Sequence, residues 1–431
     1  MTGALSGTFW RYFANTSWIL AERLVRITLN LFVGIFVVRY LGPERYGLLS
    51  YAVSFVGLFS GIANLGLDEI VIRNLVRRPQ EKEKLLGTAF LLKLFGAILL
   101  FLIVLAAIQV SSSDRLTQIL LLIIAGGIIF QSFWVIDFYF KSQVQAKFTS
   151  YAQLFSLFVT SFVKVALMIQ GASLAWFAWV TVIENALMAA SLLFMYRERG
   201  FSIFWWRFSA STSIELLRDA WPLMFSGMAS MVYMRIDQVM IKQMLDSEAV
   251  GNYAAAVQFS EVWYIVPMAV SSSLFPAIIS SREMNKTLYR QKLQKLYDFM
   301  VWVALSIAIL TTFLADPWIP VILGKQFEPA ASVLKIHIWA AVFVFLGVSS
   351  SKWFLTENLT QLLFYRTLSG AVLNVFLNLL LIPRYGILGA AYSACAAQFC
   401  AAYLYDLLDT RTQVAFRMKT KAFFPVHLLR S

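Results

Sequence analysis

The sequence predicts an all-α polytopic membrane protein. About twelve transmembrane helices form two six-helix bundles, related by a parallel pseudo-two-fold repeat around a central cavity. Three observations carry this. Of 431 residues, 60% are hydrophobic and 14% charged, with mean hydropathy +0.71, whereas soluble domains run about 45–50% apolar and about 25% charged. The apolar residues fall into runs of about 20, enough to cross a bilayer as a helix. The Lys and Arg residues concentrate in alternate loops, as in topogenic sequences. Each span is helical because a lipid-exposed backbone must satisfy its own hydrogen bonds.

The spans are predicted in order at 14–38, 45–66, 86–110, 117–139, 149–169, 174–195, 219–242, 251–279, 298–315, 333–352, 361–382 and 386–406. The first carries Glu22, Arg23 and Arg26, at depths where one charge costs about 2.5 kcal/mol or more. Glu22, Arg26, Asn30 and Gly34 follow at steps of four and form one stripe. Glu22 precedes Arg26 in the favourable i,i+4 order, and Arg23 lies about 100° away around the helix. A structural ion pair with a snorkelling arginine is one reading; one wall of a water-filled cavity between the halves is the reading preferred. The fifth span places Gln153, Ser156, Thr160 and Lys164 on one face, and the sixth holds Glu184. The seventh holds Arg235 and Asp237, about 160° apart around the helix, and the eighth Glu261. Pro222, Pro267 and Pro276 should kink these two spans or free carbonyls. Lys335 and His337 begin the tenth span near the interface. The eleventh has Arg366, Gly370, Asn374 and Asn378 at steps of four, for which interhelical hydrogen bonds and cavity lining both remain open. Cys395 and Cys400 on the twelfth point about 140° apart and do not pair. His427 lies far from His337 in sequence, and no metal-type spacing exists.

Twenty-four basic residues fall on one side, from Arg11 through the 67–85 loop and Arg282 to Arg430, against six on the other. The remaining six lie in or at the edges of spans. The bias places both termini in the cytoplasm. It also accounts for the net charge of +13 without nucleic acid. The start does not read as a cleavable signal peptide, and the longest outer loop, about 316–332, leaves no room for a soluble domain.

LGPERYGLLSYAVSF at 41–55 is echoed by LDSEAVGNYAAAVQF at 245–259, with Leu41/Leu245, Glu44/Glu248, Gly47/Gly251, Ala52/Ala256, Val53/Val257 and Phe55/Phe259 identical at a shift of 204. Both copies join the first and second spans of a six-span half. Halves with an even number of spans run the same way, so the repeat is parallel. The halves are then 1–200 and 219–431, the second with a basic cytoplasmic tail, joined by a cytoplasmic linker at 201–218.

Arg23, Arg26, Lys164 and Arg235 put cations inside the membrane, partly offset by Glu22, Asp237, Glu184 and Glu261. Cations in a low-dielectric cavity attract anions, and arginine suits phosphate through bidentate hydrogen bonds. An anionic or phosphate-bearing substrate is therefore expected.

VRYLGPERYGLLSYAVSF (38–55), FSEVWYIVPMAVSSSLFPAI (259–278), IHIWAAVFVFLGVSSSKWFLTEN (336–358) and LNVFLNLLLIPRYGILGAAYSA (373–394) together resemble the polysaccharide-biosynthesis flippases, the O-antigen and capsule repeat-unit translocases of the multidrug/oligosaccharidyl-lipid/polysaccharide exporter superfamily. The resemblance covers nearly the whole chain. It implies alternating access that moves an undecaprenyl-diphosphate-linked oligosaccharide from the inner to the outer leaflet, with no catalytic residues and no resident cofactor. By span and depth it carries diphosphate and sugar contact to Arg23, Arg26 and Arg235. Lys164, Asn30, Asn374 and Asn378 are further candidates for substrate, and Glu22, Asp237, Glu184 and Glu261 are candidates for support or for coupling to a proton or sodium gradient. Membrane lipids, a glycan polymerase and other export-pathway proteins are the implied partners. The alternatives are a cation-coupled multidrug exporter of the same superfamily, and a membrane-embedded glycan polymerase or acyltransferase.

Overall fold

The computed structural model describes residues 2–110, 114–357 and 359–424. Arg11, Arg282, Arg430, His427 and the Pro276 side chain fall outside the described residues and side chains. Helices α1 (Thr2–Leu58), α2 (Ser60–Asn64), α3 (Leu67–Arg77), α4 (Lys82–Val110), α5 (Arg115–Gly127), α6 (Val135–Ser142), α7 (Ala146–Ile169) and α8 (Leu174–Glu198) come first. They are followed by α9 (Ala210–Met244), α10 (Ser247–Glu261), α11 (Ile265–Met284), α12 (Lys286–Leu323), α13 (Glu328–His337), α14 (Ala340–Thr356), α15 (Thr360–Tyr385), α16 (Ile387–Ala402) and α17 (Gln413–Phe423). No strand occurs among the described residues. The protein is an all-α, multi-pass membrane protein.

Eight helical stretches are long and apolar enough to cross a membrane, and the α13–α14 pair, bent by 48°, adds a ninth among the described residues. Three features reconcile this with about twelve predicted spans. α1 holds the first two spans and breaks between them at Gly42 (φ 72°, ψ 170°), just before Pro43. The seventh span, on α9, carries Asp219, Arg235, Asp237 and Lys242, too many charges to read as apolar. The eighth is interrupted by a 3-10 turn at Val262–Tyr264, three residues before Pro267 reaches the third position of α11.

The helices group into two compact units: Met1–Leu41 with Ala52–Met231, and Gly42–Tyr51 with Val232–Ser431. This departs from the predicted halves. The first part of α9 belongs with the first unit because Arg73 pairs with Asp219, and Arg78 grips Glu215, with Nη1 3.2 Å from Oε2. Gly66, at φ 64°, lets its turn touch the backbone of Ala220 and Met224. The Arg78 guanidinium holds the Glu215 carboxyl below its ordinary value. Any stability this gives is present above the unfolded value of 4.5 and is lost as pH falls through the lowered one.

Residues 201–218 are not a free linker. The Arg207 amide donates to the Glu83 carbonyl at 3.1 Å, and Gly87 has no side chain to block that approach. The Trp206 ring lies tilted 5.4 Å from that of Phe90, and its indole donates to the Tyr196 hydroxyl at 3.3 Å. The 67–85 loop is likewise ordered: Leu67, Val71 and Leu75 of α3 join Leu85, Phe138, Phe140 and Tyr196 in one buried cluster.

In the second unit, residues 42–51 cross α10 at two glycines. A Cβ on Gly47 would collide with the Ser247 carbonyl, and a Cβ on Gly251 with the Pro43 carbonyl. Residues 43 and 247, like 47 and 251, are 204 apart, the shift of the sequence echo. The contact is therefore reciprocal, as at a two-fold axis. The breaks correspond too: Gly42 matches Asp246, the N-cap of α10, whose side chain accepts from the Ala249 amide at 2.8 Å.

Three regions are more helical than the sequence suggested. α12 starts twelve residues before its predicted span and continues through about half of the predicted outer loop, ending at Leu323. The basic tail forms the amphipathic helix α17, with Ala415, Met418 and Ala422 buried. Lys419, counted as a loop cation, is fully buried and donates to Asp406 at 2.6 Å and to the Ala402 carbonyl at 2.7 Å. Burial lowers its ammonium to about 8.

Close backbone approach at the glycine crossing has a measurable consequence. Gly47→Leu or Gly251→Leu is expected to lower unfolding free energy by about 1–3 kcal/mol or more through overpacking. Gly57→Leu, at a site with nothing within 4 Å, is expected to leave it unchanged. Thermal unfolding of the purified variants checks both.

Candidate functional site

Each unit holds a polar cluster within a predicted span. In the first unit, Glu22 is 3% exposed and its carboxylate receives Arg26 Nε at 3.0 Å. With its amide oriented to donate, Gln153 of α7 bonds both Glu22 oxygens, at 3.0 and 3.2 Å. The predicted i,i+4 pair is thus formed, and it is tied to the polar face of α7. The Arg26 side chain keeps 41% exposure while that of Glu22 keeps 4%. Glu22 therefore acts as an anchor and leaves much of the guanidinium edge open. Arg23 and Asn30 are exposed, and Lys164 and Glu184 are half-buried. No described hydrogen bond or ion pair joins those four to the Glu22 cluster. Ser156 and Thr160 bond back to carbonyls of their own helix, at 2.9 and 2.7 Å, so their hydroxyls are already satisfied.

In the second unit, Arg235 reaches Glu261 at 3.3 Å, with side chains 34% and 23% exposed. This repeats the pattern of the first unit: an intramembrane arginine held by one carboxylate and still partly open. Asp237, two residues on, faces inward and is 5% exposed. It accepts from the Tyr253 hydroxyl at 2.7 Å and from Asn378 Nδ2 at 2.5 Å. Asn378 also donates to Asn374 Oδ1 at 3.0 Å. Among the described residues no Lys or Arg forms an ion pair with Asp237.

The structure corrects several expectations about which groups face a cavity. Asn374 and Asn378 are 1% and 0% exposed, and they hold Asp237 across the helix interface. They form the interhelical hydrogen bonds that were one of their two readings, not an open wall. Arg366, counted among the loop cations, is buried; it donates to Ser350 Oγ at 2.9 Å and the Gly347 carbonyl at 3.1 Å. His337 is buried too, edge-on to the Tyr253 ring at 6.1 Å. Its Nδ1, Asn374 Nδ2 and Asn378 Oδ1 have no partner among the described residues. Sequence reasoning missed two residues here. Tyr253 sits in an alanine-rich run with nothing to mark it, and Lys93, 1% exposed, donates to Asn64 at 2.9 Å inside the first unit.

Fold and site thus define a class: multi-pass, all-helical membrane proteins with ionic groups inside their spans. The chain belongs to the polysaccharide biosynthesis protein family, whose model matches residues 36–332. A putative O-antigen transporter of Shigella flexneri is 21% identical over 413 residues, which is 87% of this chain and 92% of the relative. Among solved structures, the lipid II flippase MurJ in an inward closed conformation matches with TM-score 0.74 and 14% identity, over 97% of this chain and 92% of MurJ. An inward-facing multidrug resistance MATE family transporter of the MOP superfamily matches with TM-score 0.74 and 14% identity, over 91% of this chain and 96% of the other. Identities this low show a shared fold.

Removing one of the two donors to Asp237 leaves a buried carboxylate under-bonded. Asn378→Leu is expected to destabilise the protein by about 1–3 kcal/mol, read as a lowered Tm. Asn30→Leu, at an exposed position of the first cluster, should leave Tm within error of the parent.

Proposed function

We propose that this protein is a flippase that moves an undecaprenyl-diphosphate-linked oligosaccharide, an O-antigen, capsule or related repeat unit, from the inner to the outer leaflet of the bacterial cytoplasmic membrane by alternating access. Family membership and a relative named as a putative O-antigen transporter support this reading. The observation that carries it is the pair of half-open intramembrane arginines. Arg26 and Arg235 are each steadied by one carboxylate, yet keep 41% and 34% of their side chains exposed. A cation kept polar, oriented and accessible at that depth suits a diphosphate, which brings its own negative charge. Arg23 adds positive charge next to Arg26. The polyprenyl chain stays in lipid while the headgroup crosses. Both termini are cytoplasmic in this reading, and glycan polymerases or other export proteins act before or after it.

Coupling falls to Asp237. An intramembrane carboxylate without a cationic partner is a functional group by default, and it can take up a proton or a sodium ion. Around it, Asn374 Oδ1 and the unpartnered Asn378 Oδ1 offer oxygen donors of the kind hard cations prefer. Asp237 also supports a second reading, a cation-coupled multidrug exporter, to which the MATE-like fold adds weight. A deletion strain with altered drug susceptibility and intact surface glycan would establish that reading in place of the first.

Arg26→Ala is expected to reduce glycan export about tenfold or more, from the loss of charge-assisted hydrogen bonds, with normal membrane insertion. Lipid-linked oligosaccharide should accumulate on the cytoplasmic side. Normal export by a well-expressed Arg26→Ala variant defeats the arginine assignment. Asp237→Asn should abolish the response of transport to an imposed proton or sodium gradient, measured in proteoliposomes, while binding of the lipid-linked substrate persists.

A further inference from the structure

A second polar site lies away from both clusters, on the face that carries the basic loops. It exists because α12 extends beyond its predicted span. Asn285 caps that extension, accepting from the Thr287 amide at 2.7 Å. Lys286 and Arg290 then fall one turn apart on an exposed rim, while Tyr289 and Leu293 turn inward and are buried. The end of α14 supplies Trp353, 6% exposed, and Glu357. The turn before α17 supplies Arg411, and α17 itself closes the far side with Met418. Between them lies a cavity of about 260 Å³.

Its chemistry is one-sided. Glu357, the only acid among the lining residues, receives the Tyr289 hydroxyl at 3.2 Å. Arg411 is steadied by Asp409 at 2.8 Å, and its side chain keeps 62% exposure. Neither Lys286 nor Arg290 has an ion-pair partner among the described residues. Three cations thus ring a floor of indole, thioether and leucine. A bare anion would use the rim and leave the floor empty. A phosphate carrying a small organic group would use both. The volume exceeds what one phosphate fills and leaves room for an attached alcohol or sugar.

We propose that this pocket binds a phosphate-bearing organic ligand, either the headgroup of an anionic phospholipid or a soluble phosphate ester. Occupancy ties α12, α14 and α17 together, so it sets how firmly the C-terminal helix is seated. The site is independent of the flippase reading, since it uses none of the residues assigned to the transported substrate.

Native mass spectrometry of the detergent-purified full chain tests it, with phosphatidylglycerol and glycerol 3-phosphate as probes. The parent protein is expected to retain one phosphatidylglycerol or one glycerol 3-phosphate more tightly than a Lys286→Gln/Arg290→Gln variant, by about thirtyfold, given roughly one kcal/mol for each of the two cations near an anionic surface. Lys421→Gln, a cation of α17 outside the pocket, should bind like the parent. Binding of the lipid alone assigns the headgroup source, and competition by glycerol 3-phosphate assigns the soluble one. Arg411→Gln provides a second variant should the double substitution fold poorly. Equal binding by parent and pocket variants, or no binding of either probe, overturns the proposal.

Discussion

Two helix backbones touch at Gly47 and Gly251, and much of the second unit follows from that approach. Helices at ordinary separations keep their axes 8–10 Å apart because side chains intervene. Here the Pro43 and Ser247 carbonyls occupy the space a Cβ would need. In a lipid setting such proximity has a particular use. Hydrocarbon surrounds every helix equally, so association depends on van der Waals contact and small residues that permit it. The crossing draws Gly42–Tyr51 out of the unit that holds the rest of α1. It also explains why α1 breaks at Gly42 and why α9 ends where α10 begins. Both breaks are needed for the crossing segments to change direction, and Gly42 and Asp246 are the residues that end one helix and start the next.

The membrane also dictates how charge is arranged. A buried ion is tolerable when a partner and hydrogen bonds replace its hydration. Lys419 and Asp406 satisfy that within the second unit, and Arg366 does so with a hydroxyl and a carbonyl. Arg26 and Arg235 do not fully satisfy it, since each has one carboxylate and a substantial open surface. Structural ion pairs gain from closure, so partial closure in both units supports the proposal that these two arginines contact substrate. Asp237 differs in sign and in surroundings: it has donors on two sides and no cation.

Legibility in the sequence followed the physics of each element. The long apolar runs were legible because nothing but a membrane selects them, and the Glu22–Arg26 pair because an i,i+4 spacing is a local matter. The repeat could be read because glycine at 47 and 251 is required by backbone contact. α3 and α17 were read as loops because their mean hydropathy is low and their buried faces are only a few residues wide. The N-terminal extension of α12 hid for the same reason. Arg366 and Lys419 were misread because a formal charge does not reveal whether a neighbouring helix brings a partner. The Asp237 network joins residues 141 apart, and only the packed helices bring them together.

The sign of the charges still discriminates between the two transporter readings. A carrier of organic cations needs its open intramembrane groups to be acidic. Within the two described clusters the open groups are guanidinium edges, at Arg26 and Arg235, while Asp237, an acid with no described ion pair, is sealed under Tyr253 and Asn378. A bulky organic cation has no room at a carboxylate that is 5% exposed, whereas a proton or a bare metal ion does. Under the proposed function the two kinds of site divide the work, with the accessible cations suited to a large anion and the buried carboxylate to a small cation. That division favours an anionic cargo driven by a cation gradient over a cationic cargo competing for the same acid.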